Sequence, residues 1–253
     1  MRHLGILAHS AEGAALCLRT FCQQGSRELG PHQHPDVTLD CIAFGRSMPA
    51  WDAGDFAAIR TTLATSVARL ARAGADFFAC PDNTAHLALE SAGEPLPLPG
   101  LHIADAVAEQ AGRDRRRMVG ILATRYTMDS DLYPRAMARR GIGTAVPGDA
   151  DRRVVDDIIF GELVEGVFTG QARSAYAAII GKLRERGCDA VALACTEIPL
   201  LIDARSSPLP VLDSTRLLAA AAFDVAAGRR PLPSWRGGAL AQQGRQDHGH
   251  GAG

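Results

Sequence analysis

Short apolar runs ending in a polar turn alternate along this chain with longer stretches whose apolar residues recur at helical spacing. The short runs, at residues 3–8, 37–44, 76–81, 98–101, 118–123, 143–146, 190–194 and 210–212, predict strands. The longer stretches, at 12–29, 55–73, 85–91, 103–112, 128–140, 151–166, 172–186 and 214–227, predict helices. Within the second of these, Phe56, Ile59, Leu63, Val67 and Leu70 fall on one helical face. Phe77-Phe78-Ala79-Cys80 shows no alternation, as expected of a parallel strand covered on both sides. Strand–helix alternation of this kind predicts an α/β fold.

The pattern occurs twice. Gly5-Ile6-Leu7-Ala8 returns as Gly120-Ile121-Leu122-Ala123, and the stretch Gly74 to Thr84 is answered by Gly187 to Glu197. A third echo pairs Leu98-Pro99-Gly100-Leu101-His102 with Leu209-Pro210-Val211-Leu212-Asp213. Two pseudo-symmetric, doubly wound parallel-sheet lobes follow, with a site in the cleft between them. Residues 1–112, with 213–228 packing back, form the first lobe; 113–212 form the second. The basic run at 112–117 is read as a solvated connector. Residues 229–253 are read as a flexible tail, in which the histidines at 248 and 250 suggest a frayed end rather than a metal site.

Composition narrows the function. The chain is 47% hydrophobic and 22% charged, with a formal net charge of −1, so nothing points to nucleic acid or to a membrane surface. Met1-Arg2-His3 leads directly into an apolar run too short for a secretory leader, and the expected location is the cytoplasm. The six cysteines lack the spacing of a zinc site, and reduced thiols are expected. Cys41 and Cys80, in apolar runs, are read as buried and inert. No phosphate-binding or dinucleotide-binding glycine motif and no G-x-S-x-G elbow is present. The single lysine, Lys182, lies mid-helix in a charged run, so a pyridoxal phosphate site is disfavoured.

Ligands of open α/β sheets bind beyond the carboxyl ends of the strands. There the repeat sets Asp82 of the first lobe opposite Cys195 of the second, each at a strand-to-helix turn. A lone Asp-Asn-Thr or Cys-Thr-Glu could be an ordinary helix cap, but capping does not require symmetric placement in two lobes. The neighbouring turns supply His9-Ser10, Arg46-Ser47, Thr124 to Thr127, and Asp213-Ser214-Thr215. Asn83, Thr84 and Thr196 suit a carboxylate at a helix start. Arg46 and Arg125 either clamp a substrate or bridge surface acids. His86 is either a proton shuttle or a helix residue. Glu197 either tunes Cys195 or favours the helix N-terminus, the second being preferred.

These residues carry a resemblance. Gly74-Ala75-Asp76-Phe77 through Pro81-Asp82-Asn83-Thr84-Ala85-His86 resembles the first signature of the aspartate/glutamate racemase family, P-C-N-T-x-H. Ala194-Cys195-Thr196-Glu197-Ile198-Pro199-Leu200-Leu201-Ile202 is similar to the second, G-C-T-E-[IL]-x-L-[IL]-I. Thr124-Arg125-Tyr126-Thr127-Met128 through Asp131-Leu132-Tyr133 is similar to the segment G-T-x-x-T-M…D-x-Y. The resemblance implies a cofactor-independent racemase or epimerase of a small acidic amino acid, aspartate or glutamate. Cys195 and Asp82 would act on opposite faces, and Ser10, Arg46, Asn83, Thr84, Thr124, Thr127, Thr196 and Glu197 would hold the substrate. Asp82 departs from the family, which has cysteine there. Alternatives therefore stay open: a decarboxylase or a cis–trans isomerase of a small dicarboxylate using Cys195 alone. A two-lobed binding protein is a further rival, disfavoured by the ionisable pair. The partner expected is a small carboxylate; homodimerisation is left open.

Overall fold

The computed structural model describes residues 1–240, so the predicted histidine pair at 248 and 250 lies outside the described residues. The order of elements is β1 (Leu4–Ala8), α1 (Ala11–Glu28), β2 (Val37–Cys41), α2 (Met48–Asp52), α3 (Phe56–Arg72), β3 (Phe77–Ala79), α4 (Ala85–Leu89), β4 (Gly100–Leu101) and α5 (Ile103–Arg113). The second run continues with β5 (Met118–Leu122), α6 (Arg125–Met128), α7 (Leu132–Ala138), β6 (Gly143–Ala145), α8 (Asp149–Gly161), α9 (Gly170–Glu185), β7 (Ala190–Leu193), α10 (Ile198–Leu201), β8 (Val211–Asp213) and α11 (Ser214–Ala226).

Two parallel four-stranded sheets result, ordered β2-β1-β3-β4 and β6-β5-β7-β8. The registers match: Gly5 lies beside Phe78, and Gly120 beside Val191. The repeated glycine is explained by packing. A Cβ on Gly5 would sit 3.1 Å from Leu70 of α3, and one on Gly120 would sit 2.8 Å from Leu183 of α9. Each helix thus lies directly on its sheet because its strand lacks a side chain there. Caps fix where the helices begin: Asp55 accepts from the Ala58 N–H at 2.9 Å, Thr169 from Ala172 at 3.0 Å and Asp213 from Arg216 at 3.0 Å.

One core cluster joins Leu4, Ile6, Phe21 and Phe77 with Leu218, Ala222 and Phe223, so α11 packs on α1 and α5 beside the first sheet. A second, with Ile59, Leu63, Val67 and Phe78, covers that sheet's other face. The third fills the other lobe around Val119, Ile121, Tyr176 and Val191, and takes in Val107 and Ala108 of α5. Helix α5 therefore packs in both directions. No helix among the described residues is long and apolar enough to cross a membrane.

Several expectations need correction. The strand placed at 37–44 ends at Cys41, and the chain turns instead into a 3-10 turn, Phe44–Arg46. That strand is an edge, so Cys41 is exposed, whereas Cys80 is buried as expected. The helix placed at 128–140 starts only at Leu132, as α7: α6 ends at Met128, Ser130 Oγ donates to the Thr127 carbonyl at 2.8 Å, and Pro134, which has no N–H to bond back, sits in the first turn of the new helix. The helix expected to open after Cys195 is α10, only four residues long, with Pro199 in its first turn.

The segment after 228 is not frayed where it is described. Gly100 N–H donates to the Trp235 carbonyl at 2.7 Å and Leu96 N–H to that of Arg236 at 2.8 Å. The Trp235 ring stacks on His86 with centroids 5.8 Å apart. Proline and glycine there set the path of an anchored strand-like segment, and the half-buried tryptophan supplies the anchor that composition had hidden.

Candidate active site

A cavity of about 420 Å³ opens between the carboxyl ends of the two sheets. The turn after β3 presents Asp82, Asn83 and Thr84; the turn after β7 presents Cys195, Thr196 and Glu197. The repeat therefore brings its two chemically distinct residues to one space, from opposite lobes.

On the first-lobe side, His9 Nδ1 lies 2.6 Å from Asp82 Oδ2. A carboxylate only accepts, so Nδ1 carries the proton. The other ring nitrogen is 3.1 Å from Ser47 Oγ and 3.4 Å from Trp51 Nε1. Asp82 Oδ1 accepts from the Ala85 N–H at 3.1 Å. Burial by itself would raise this carboxyl, but the hydrogen bond and charge of His9, with the Ala85 N–H, outweigh it and hold Asp82 below the ordinary carboxylate range.

On the second-lobe side, Cys195 is buried and its Sγ donates to Glu197 Oε2 at 3.1 Å. Burial, the Glu197 charge and that hydrogen bond, together with the charge of Asp82, raise the thiol well above its usual range. At rest Cys195 is a protonated thiol beside a proton acceptor. Glu197 stands at the N-terminus of α10, where the preferred electrostatic reading put it, but its carboxylate bonds to Cys195 and makes no side-chain hydrogen bond to the helix.

Around the pair lie hydroxyls. Thr84 Oγ1 is 3.0 Å from Thr124 Oγ1 and 3.1 Å from Thr127 Oγ1, and Ser10 Oγ is 3.3 Å from Thr196 Oγ1. Each cluster joins one lobe to the other. Thr127 is buried behind Thr84 and Thr124 and does not line the cavity, so its part is to orient those two. Asn83 lines the cavity, but its amide donates to Ser214 at 3.0 Å and accepts from the Tyr133 hydroxyl at 2.6 Å. The backbone N–H groups of Asn83, Thr84 and Thr196 donate to no group among the described residues, and they remain available for a carboxylate. Gly13 marks how tightly these turns meet: a Cβ there would be 2.4 Å from the Pro81 carbonyl oxygen and 2.4 Å from Thr196 Cγ2.

Two expected residues are elsewhere. Arg46 is exposed on the turn that replaces the end of the strand, where Phe44 faces the cavity in its stead. Arg125 lies in a separate groove over the ring of Tyr126. His86 is fully buried, with Nδ1 donating to the Asp82 carbonyl at 2.8 Å and Nε2 accepting from the Ile103 N–H at 3.2 Å. Burial, then the charge of His102, pushes it down to about 3. It is a neutral brace for the Asp82 turn, not a shuttle. Sequence reasoning named His9 only as part of a polar turn, and missed Trp51 because α2 hides in a short loop.

Fold and site together define a two-lobed α/β protein with an acid/base pair facing across a cleft. The family model for Asp/Glu/Hydantoin racemase matches residues 17–222. The structure resembles a putative Asp/Glu racemase from Yersinia pestis, at 33% identity and a TM-score of 0.79 over 90% of this chain and all of that one. It also resembles an aspartate racemase homologue from Pyrococcus horikoshii, at 25% identity and a TM-score of 0.76, with 90% and 100% covered. A broad-specificity amino-acid racemase, RacX of Bacillus subtilis, is 24% identical over 60% of this chain and 65% of its own length. The chain belongs to the Asp/Glu/Hydantoin racemase family.

Proposed function

We propose that the protein is a cofactor-independent racemase or epimerase that exchanges the α-proton of a small amino acid between Cys195 and Asp82. The observation that carries this reading is the placement of these two groups on one cavity, from opposite lobes, each with its own proton partner. Glu197 takes the thiol proton, and the thiolate removes the α-proton from one face. On the other face, the proton shared by His9 and Asp82 is delivered by the carboxyl group. The hydroxyls of Ser10, Thr84, Thr124 and Thr196 and the free N–H groups hold the α-carboxylate as charge develops on it. Independence from pyridoxal phosphate is supported by the only lysine, Lys182, which is exposed and paired with Asp151 at 2.8 Å.

Amino acids incubated in deuterated water, followed by NMR at the α-carbon and by circular dichroism, test the reading. Aspartate and glutamate, the substrates the family implies, belong in the set. Cys195→Ala and Asp82→Asn are each expected to lower exchange by about 10²–10⁴-fold. Absence of exchange with every amino acid would sink it.

A second reading has one observation in its favour: both Asp82 oxygens are already engaged, by His9 and by the Ala85 N–H. A single-thiol decarboxylase or cis–trans isomerase of a small dicarboxylate would then use Cys195 alone. Under that reading Asp82→Asn keeps most of the activity.

A further inference from the structure

Which side chain the reacting carbon carries is decided by the cavity walls rather than by the acid/base pair. Among the described residues, no lysine or arginine lines the cavity. Its charged lining residues other than His9 are all acids: Asp82 and Glu197 inside, Glu12 and Asp52 exposed at the rim. A substrate with a second carboxylate would enter a space whose charges repel it and whose neutral donors are already needed for the first.

The remaining walls are apolar, and both lobes supply them. From the first lobe come Phe44, Met48 and Trp51; from the second come Tyr126, Ile159 and Phe160. They form a connected surface beside the acid/base pair. The Phe44 ring lies edge-on to His9 at 4.8 Å, and Trp51 is 5.9 Å from His9 and 6.1 Å from Tyr126. Phe44, Met48, Tyr126 and Phe160 are among the chain's exposed large hydrophobic residues, with Phe160 at 52% exposure. Apolar groups left open to water at the mouth of a cavity gain by covering an apolar ligand group.

Resting on the α-proton reading above, we infer that the substrate is an α-amino acid with an apolar or aromatic side chain, not aspartate or glutamate. Its α-carboxylate lies among the hydroxyls of the two turns, and its side chain lies between the Trp51 wall and the Phe160 wall. Specificity then comes from apolar burial on two sides and from acids that repel an anionic side chain.

The test uses the full chain and separates this inference from the reaction it rests on. Both enantiomers of leucine, methionine, phenylalanine, aspartate, glutamate, lysine and arginine are scored for α-proton exchange in deuterated water and for binding by calorimetry. Exchange with the apolar set at least about 100-fold faster than with aspartate and glutamate is expected, since the cavity's own acids repel a second carboxylate. Equal or faster exchange with aspartate or glutamate overturns the inference and leaves the racemase reading intact. Fastest exchange with lysine or arginine also overturns it, and would assign the rim acids Glu12 and Asp52 to the side chain. Binding of the apolar set without any exchange keeps the substrate class and overturns the reaction.

Phe160→Arg gives a second measurement, because an exposed position tolerates the change without loss of fold. Exchange with phenylalanine should fall, and the glutamate-to-phenylalanine rate ratio should rise about tenfold or more. A ratio that does not move overturns the assignment of this wall to the side chain.

Discussion

His9 Nδ1 sits 2.6 Å from Asp82 Oδ2, so the carboxylate that stands where the signature it resembles carries a cysteine is half of a hydrogen-bonded pair. Substituting a carboxylate for a thiol at an acid/base position changes the proton affinity by several units. In the proposed reaction the imidazole is the partner through which Asp82 would gain and lose its proton.

Removing the imidazole should therefore shift the pH profile. His9 lowers the Asp82 carboxyl against the pull of burial, so His9→Asn leaves burial in control and the group rises. In the direction that uses Asp82 as the base, the acidic limb of the rate profile is expected to move to higher pH, with a loss of about 10-fold or more in rate at neutral pH. An unmoved limb would show that Asp82 does not titrate in the reaction.

Glu197 should act on Cys195 in the opposite sense. Its charge and hydrogen bond help raise the thiol, so Glu197→Gln is expected to lower the thiol toward the ordinary cysteine value of about 8.5. Titrating the ultraviolet absorbance of the thiolate measures this. The same variant should nonetheless turn over about 10²-fold more slowly, because the proton leaving sulfur has lost its acceptor. A more acidic thiol with a slower reaction is a combination that a merely structural glutamate would not give.

Acid should loosen the fold through His86. Its value falls from about 6.5 in the unfolded chain to about 3 in the folded one. Between those values the unfolded state binds more protons, so stability is intact above about pH 6.5 and declines as the pH drops toward 3. The loss is on the order of a few kcal/mol across the whole window. His86→Asn costs stability at neutral pH, where it removes two braced hydrogen bonds, but should flatten the decline in thermal melts taken between pH 7 and 4.

Gly13→Ala should separate binding from stability. The added Cβ meets the Pro81 carbonyl and the Thr196 methyl, one from each of the two turns that carry Asp82 and Cys195. Overpacking of this kind costs about 1–3 kcal/mol, and here it also pushes Asp82 and Cys195 apart. Activity is expected to fall by more than the change in melting temperature explains, which denaturation curves and exchange rates on one preparation would reveal.

The strand and helix rhythm carried most of the architecture to the page, because parallel strands covered on both faces leave unbroken apolar runs such as Phe77 to Cys80. The repeat gave the pairing of Asp82 with Cys195 for the same reason: equivalent turns of equivalent lobes face one another. What escaped were side chains whose role depends on where a short loop turns. Arg46 and Phe44 are two residues apart, and only the 3-10 turn decides that the ring faces the cavity while the guanidinium faces water. Trp235 escaped because proline and glycine around it mimic an unstructured end.

The core beside β1 is closed by α11 and by Trp235, pieces made last in the chain, while the sheet β6-β5-β7-β8 is finished with β8. A ribosome adding about 5–20 residues per second thus makes every strand of both sheets before it makes α11 and Trp235. The lobe whose first strand opens the chain is the lobe whose core waits longest for its final parts, and a chain cut after β8 would keep all eight strands and leave Leu4, Phe21 and Phe77 without α11.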